Sequence, residues 1–345
     1  MLAELGVADA MIAQGLVSPV YQYRDRHSPE YFNFDLAELA DLTQFPYRLQ
    51  CEQYKLTRHL SDILADEPRA RLLFSHRATH CEQDDRGIFV YAETPTSTEK
   101  FGADYVIAAD GANSAIRKSA KIEFEGFTYP EKFVTLSTRY PLEQHFEGLV
   151  NVNYIADPDE WVLLLRTPAV WRVLVPAPQS ESDEYLRSDE FKDRIFRSLT
   201  GKNDGIQTEH RTLYPVHQRV AKTFRSKRVL LAGDAAHLNN PLGGFGMNSG
   251  IHDAWNLAEK LVAIIGNSAD DSLLDLYDRQ RRTVTREFIQ TQSIRNKQMM
   301  EQSGEEGLLQ GRIEMQHICD DSKLRREFLL AQSLFTSLRD AAQIN

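Results

Sequence analysis

Cysteine is scarce in this sequence: Cys51, Cys81 and Cys319 are the only three among 345 residues. They stand far apart, in neither disulfide-framework nor metal-ligand spacing, and so few of them suit a reducing compartment. Nor is there a His-Glu-x-x-His, a Gly-x-Ser-x-Gly or a Cys-x-x-Cys, which sets aside the common metal-hydrolase and serine-hydrolase readings and leaves no metal site to name. No apolar run is long enough to span a bilayer, and Met1-Leu-Ala-Glu-Leu-Gly lacks the basic-then-apolar layout of a signal peptide. The expectation is a cytoplasmic chain without a transmembrane segment. A basic excess is missing too: 40 Lys and Arg face 50 Asp and Glu, a net charge of −10, which argues against a nucleic-acid partner. Finally, no Gly-x-Gly-x-x-Gly occurs before residue 240, so the usual strand–turn–helix grip on a dinucleotide pyrophosphate is not seen.

What is present concentrates in residues 228–254. Val229 to Ala232 is a short apolar run that reads as a buried strand, and Gly233-Asp234 ends it with a carboxylate. In open α/β sheets ligands bind at that end of a strand. Pro241 stiffens the following loop, and Gly243, Gly244 and Gly246 let backbone approach a flat ligand closely. Met247, Ile251, Trp255, Ala258, Leu261, Val262 and Ile265 then recur at helical spacing, which predicts a helix. Its unpaired N–H groups would face whatever covers the glycine loop.

A second stretch, 103–118, repeats the logic: a strand ending in Asp110, a small-residue turn, and a helix start with Ser114 and Arg117. A guanidinium there suits phosphate oxygens; as structure, Asp110 would cap the helix and Arg117 would join a surface pair. Residues 48–60 read as the opening of a further helix, with Leu56, Leu60, Ile63 and Leu64 on one face. Alternation in Tyr31-Phe-Asn-Phe-Asp-Leu suggests strand pieces, and residues 70–104 read as two or three strands of a small sheet, with a turn at 84–87. Trp161–Arg166 and Trp171–Pro176 flank Thr167-Pro-Ala-Val as a hairpin; 179–205 read as helix and loop over that sheet.

The 228–254 stretch resembles the second FAD-binding motif of the flavoprotein aromatic hydroxylases, the single-component monooxygenases that include para-hydroxybenzoate hydroxylase. That pattern, Gly-Asp-Ala-Ala-His, Pro, Gly-x-Gly-x-Asn-x-Gly and Asp-Ala, is filled throughout. Asp110, Gly111, Ser114 and Arg117 resemble the family's Asp-Gly motif, which serves FAD near its pyrophosphate and the approaching NAD(P)H. Gln53, with Leu56 and Leu60 three and seven places on, fits the family's glutamine on the ribityl chain. The resemblance implies an α/β fold: a Rossmann-like FAD/NAD(P)-binding domain, N-terminally incomplete because its first βαβ unit is missing, with an inserted β-sheet substrate domain and a helical C-terminus. The expected parts are a partial FAD domain with interleaved substrate-side strands over 1–120, a substrate domain over 121–215, the FAD domain again over 216–265, and helices over 266–345, where a homodimer contact is compatible with the pattern.

The implied activity is hydroxylation of a small phenol-like substrate with NAD(P)H and O2, through a flavin C4a-hydroperoxide. The implied FAD-binding set is Gln53, Asp110, Gly111, Ser114, Arg117, Gly233, Asp234, Pro241, Gly243, Gly244, Gly246, Met247 and Asn248, with the Pro241 carbonyl next to the reacting atoms. Substrate-side candidates are Arg139, Tyr154, Arg166, Arg172, Tyr214 and His217; His217 and His237 are the side-chain bases worth testing. The alternatives are a truncated or degenerate member acting as a non-catalytic binding protein, and a flavin-reductase-type relative. Halogenation is disfavoured, because Trp171-Arg-Val-Leu-Val-Pro carries Val173 where the halogenases' second Trp belongs.

Overall fold

The computed structural model describes every residue except 85, 203, 204 and 303 and the side chain of 305, so one residue of the turn expected at 84–87, and two within 179–205, lie outside the described residues. The chain forms two compact units. The first comprises Met1–Ala70, Tyr129–Val216 and Lys297–Leu330; the second comprises Arg71–Thr128, His217–Asn296 and Ala331–Asn345.

The first unit is built on a sheet in which Tyr31–Asp35, Val20–Asp25, Val152–Ala156, Val162–Arg166 and Trp171–Pro178 are successive neighbours. Tyr31–Asp35 alternates as the sequence predicts, with Phe32 and Phe34 inward. The expected hairpin also forms, Arg166 pairing Trp171, and Trp171–Pro178 pairs along its whole length with Glu131–Thr138. One face carries Val134, Leu136, Ile155, Val162, Leu164, Val173 and Val175. The helix Asp189–Thr200 covers it with Phe191, Ile195 and Phe196. Each such side chain contributes about 1.5–3 kcal/mol by leaving water. Ser188 caps this helix on the Phe191 N–H, and Gly201 ends it at φ 69°. The opposite parity, Tyr23 and Tyr154, is turned to the other face, where their rings stack 4.8 Å apart.

The second unit holds two small sheets. Arg77–Gln83, Ile88–Glu93 and Thr98–Ala103 form an antiparallel one, as the 70–104 pattern suggests. In the other, Val106–Ala108 runs parallel to Val229–Leu231, with Arg225–Ser226 antiparallel on the far side. Val229, Leu230 and Leu231 are fully buried, packed among Ile116, Phe224, Leu257, Leu261, Leu274 and Tyr277. The expected C-terminal helices are present, from Ser272–Val284 to Phe335–Gln343.

One expectation needs correction. Residues 48–60 do not all open a helix: Arg48–Gln50 is a strand paired with Leu16–Ser18, and the helix is Gln53–Ala65, with none of its residues buried. The expected helix after the glycine loop forms as Phe245–Ile265, and its buried residues are Phe245, Ser249, Asp253, Leu257 and Leu261. Met247, Val262 and Ile265 are exposed. The reason is electrostatic. Ser249 and Asp253 meet a buried arginine, and that pairing outweighs the hydrophobic pattern, which counts charged residues as outward-facing.

Candidate functional site

Because Val106–Ala108 and Val229–Leu231 are parallel neighbours, with Leu231 beside Ala108, the two acids that follow them emerge at the same end of the sheet. That is the ligand-binding end of such a sheet. The second unit thereby brings the two sequence motifs together.

Each motif is tightly made. Asp110 accepts from Ser114 Oγ at 2.5 Å and from the Ile116 N–H at 3.2 Å, while Ser114 Oγ accepts from the Arg117 N–H at 2.9 Å. Gly111 sits at φ 80°, in the left-handed region that favours glycine. Arg117 is 4% exposed and lies 3.9 Å over the Phe124 ring. Its Nη1 donates to the Ala235 carbonyl and its Nη2 to that of Ala112, both at 2.8 Å. It therefore ties the 110–117 turn to the 233–236 turn, and burial holds its pKa below the ordinary arginine value.

In the second motif Gly233 turns at φ 60° and donates its N–H to Asp253 Oδ2 at 3.1 Å. Its neighbour Asp234 is exposed, and its carboxylate bonds no described residue. Gly250 packs closely here: a Cβ on it would stand 3.1 Å from Gly233 Cα. The Pro241 carbonyl accepts from the Gly244 N–H at 3.0 Å. Gly243, at φ 104°, has no room for a Cβ beside Asn296 and Phe245. Gly244, at φ 71°, leads into the helix Phe245–Ile265, whose first turn presents Gly246, exposed Met247 and exposed Asn248.

Beneath the loop is a buried ionic cluster. Asp253 and Arg281 are 0% and 1% exposed. Asp253 Oδ1 takes Arg281 Nε at 2.7 Å; Oδ2 takes His237 Nε2 at 2.7 Å as well as the Gly233 N–H. Burial alone would raise the Asp253 carboxyl, but His237 and Arg281 outweigh it and hold it below the usual carboxylate range. Arg281 Nη2 also reaches Ser249 Oγ at 3.2 Å. Amide side chains hold the loop from the other side. Gln290 donates to the Leu238 carbonyl at 3.0 Å, Asn296 to that of Leu242 at 3.2 Å, and Gln218 accepts from the Asn240 N–H at 3.0 Å.

The sequence reading missed this scaffold. The spacing of Phe245, Ser249, Asp253, Leu257 and Leu261 was the available signal for Asp253; Arg281 was hidden in the run Arg279-Gln-Arg-Arg, and nothing local marks Gln290 or Asn296. The other candidates are divided between the two units. Gln53 begins its helix in the first unit, exposed. Of the substrate-side candidates in that unit, Arg139 pairs with Glu209 at 2.9 Å, Arg166 lies over Trp171, Arg172 is exposed, Tyr214 is partly buried and Tyr154 is buried. His217, in the second unit, bonds Thr128 Oγ1 through Nδ1 at 2.9 Å, and burial lowers its pKa. His237 is committed to Asp253, with its Nδ1 buried and unbonded.

The donor set fits the polyol and ring half of a flavin. It offers a free carboxylate for hydroxyl groups, a glycine loop without side chains, helix N–H groups, and the buried, unbonded Asn239 Oδ1 beside Gly246. Among the described residues no cluster of His, Cys, Asp and Glu is placed to hold a metal, and no helix is long and apolar enough to cross a membrane.

Comparison with known proteins gives the family. Residues 1–292 match a family model described as FAD binding domain. Over 333 residues the chain is 32% identical to para-nitrophenol 4-monooxygenase of Pseudomonas sp. (strain WBC-3), covering 95% of this chain and 82% of that one. It is 30% identical over 295 residues to 6-hydroxy-3-succinoylpyridine 3-monooxygenase of Pseudomonas putida, covering 85% and 74%. The crystal structure of p-nitrophenol 4-monooxygenase from Pseudomonas putida superposes with a TM-score of 0.91 at 30% identity, covering 98% of this chain and 85% of that one. The chain belongs to the FAD-dependent aromatic hydroxylases.

Proposed function

We propose that this chain hydroxylates a small phenol, taking electrons from NAD(P)H and oxygen from O2. The net change is ArH + O2 + NAD(P)H + H⁺ → ArOH + H2O + NAD(P)⁺. When bound, FAD supplies the redox chemistry, accepting a hydride and activating O2. The protein's part is to hold and polarise. Asp234 accepts hydrogen bonds from the polyol hydroxyls. The N–H groups of Gly246, Met247 and Asn248, at the positive end of a 21-residue helix, would hold the flavin ring and stabilise negative charge on it, a term of about 0.3–2 kcal/mol. Gly243 and Gly244 would leave room for the ring, and the Pro241 carbonyl would border the substrate. The Asp110–Ser114–Arg117 turn supports the same end of the sheet and would border the phosphates and the approaching NAD(P)H.

The observation that carries this reading is the unbonded Asp234 carboxylate on a turn held by buried partners. Removing it leaves the fold intact and abolishes the contact. Asp234→Ala should therefore lose flavin, by visible absorbance and equilibrium dialysis, with an unchanged unfolding midpoint. Unchanged FAD affinity in that variant would overturn the assignment. The relatives named for nitrophenol and a hydroxypyridine make 4-nitrophenol the first substrate to assay, with NADH and NADPH in parallel.

A further inference from the structure

In the second unit a single helical run carries both sets of contacts that hold the glycine loop. The α-helix Ser272–Val284 passes into a π-helical turn, Thr285–Ile289, and α-helix resumes at Gln290. In that turn the Gln290 N–H donates to the Thr285 carbonyl, five residues back. Thr285 is fully buried and its Oγ1 has no partner among the described residues, so the wide turn is kept at a cost. Phe288 and Ile289 pack with Leu334 and with Phe245, the first residue of the helix after the loop.

Before the turn, Arg281 holds Asp253 and through it the Gly233 N–H. After the turn, Gln290, Ser293 and Asn296 hold residues 238–242. Gln290 and Asn296 donate to the Leu238 and Leu242 carbonyls, and the Ser293 carbonyl accepts from Asn240 Nδ2 at 2.9 Å. Ser293 Oγ accepts from Gln218 Nε2 at 2.8 Å, and Gln218 Oε1 takes the Asn240 N–H. Asn240 Oδ1 in turn accepts from the Leu242 N–H at 3.1 Å, and Asn296 Oδ1 from Gln332 Nε2 at 2.8 Å. Gln218, Asn240, Ser293, Asn296 and Gln332 are all buried. Buried amides must pair both ends, which leaves this set few alternative arrangements.

At about 100° per residue, an uninterrupted α-helix would put Gln290, Ser293 and Asn296 about 180°, 120° and 60° round from Arg281. A π-helical turn takes up one extra residue, which brings them to about 80°, 20° and −40°. All three then lie on the side of the helix that Arg281 occupies. One flavin has to meet the Gly233–Asp234 turn and the N–H groups after Gly244 at once, so the spacing between these two supports decides how its ring is seated. We propose that the π-helical turn sets that spacing, and that Ser293 and Asn296 are positioning residues for the flavin, acting through the loop. This rests on the flavin-binding reading above and adds how the chain keeps its two supports in register.

The test uses the flavin-loaded protein, two length variants and two point variants. Deleting Glu287, exposed in the turn, closes it to α-helix and keeps the register, so FAD affinity should stay within about 3-fold of wild type. Inserting Ala after Glu287 rotates Gln290, Ser293 and Asn296 by about 100°, and affinity should fall roughly 100-fold, as for three hydrogen-bonding groups lost together. Ser293→Ala and Asn296→Ala should each weaken FAD binding about 3–10-fold. Both should also shift the visible absorption band of the bound flavin and speed deuterium exchange at the Asn240 and Leu242 N–H groups. Residues that only stabilise the fold would lower the unfolding midpoint and leave the band unmoved. An unmoved band in both point variants, no loss on insertion, or a loss on deletion as large as on insertion would each overturn the proposal. Should the insertion variant fail to fold, the deletion and the two point variants decide. A wild type that takes up FAD while the point variants leave the band unmoved refutes the proposal alone; a wild type that takes up none refutes the flavin-binding reading itself.

Discussion

Asp253→Asn is the perturbation that most directly tests the scaffold under the glycine loop. Asp253 is wholly buried and accepts three hydrogen bonds, from Arg281 Nε, His237 Nε2 and the Gly233 N–H. An amide of the same shape has one oxygen for these donors and turns an NH2 toward one of them. Arg281, 1% exposed, then keeps its charge without a counter-ion. Breaking one side of a buried pair costs about 3–5 kcal/mol. That is a large share of a domain's stability of roughly 5–15 kcal/mol. At about 2–4 °C per kcal/mol, the melting temperature should fall by roughly 6–20 °C. The assay is thermal and urea unfolding of the wild type, Asp253→Asn, Arg281→Met and the double variant. The double variant should lose less than the two single losses added together, by roughly 0.5–3 kcal/mol, because it no longer strands a charge. Flavin affinity should fall with Asp253→Asn as well, since the Gly233 N–H loses the acceptor that sets the turn before Asp234. A single-variant loss under about 1 kcal/mol with strictly additive effects would refute the reasoning.

Two further outcomes follow from the same region. Gly250→Ala places a methyl 3.1 Å from Gly233 Cα, backbone against backbone, so stability should drop by about 1–3 kcal/mol and flavin should bind more weakly; a neutral effect in urea titration would show that the helix and turn can separate freely. His252 is held near pKa 4, by burial first and then by Arg281, with its Nδ1 unbonded. The unfolded chain binds this proton near pH 6.5, so the contribution of His252 is complete above that pH and is lost as pH falls toward 4. The slope of melting temperature against pH should flatten across that window in His252→Phe, and an unchanged slope would assign it to other groups.

Much was legible without coordinates wherever local physics decides. Val229–Leu231 is apolar and ends in Gly-Asp, so it reads as a buried strand with a carboxylate at its end, and it is one. Tyr31–Asp35 alternates because one of its faces is buried. The hairpin of Val162–Arg166 with Trp171–Pro178 follows from two β-rich runs around a short turn. The glycine loop was visible because only glycine takes φ values such as the 104° of Gly243 without strain.

Tertiary structure decided what depends on partners distant in sequence. Hydrophobic periodicity found the helix Phe245–Ile265 but not its buried Asp253, which pairs with Arg281, 28 positions on. Arg117 read as a phosphate ligand or a surface residue; the fold turns its fork to the carbonyls of Ala112 and Ala235, 118 positions away. The strand at Arg48–Gln50 exists only because Leu16–Ser18 pairs with it, and that pairing sets Arg48 among tyrosines. Propensity and periodicity report a residue's neighbours in sequence. Burial of charge is set by whichever groups the folded chain brings within about 3 Å, and no local pattern encodes that distance.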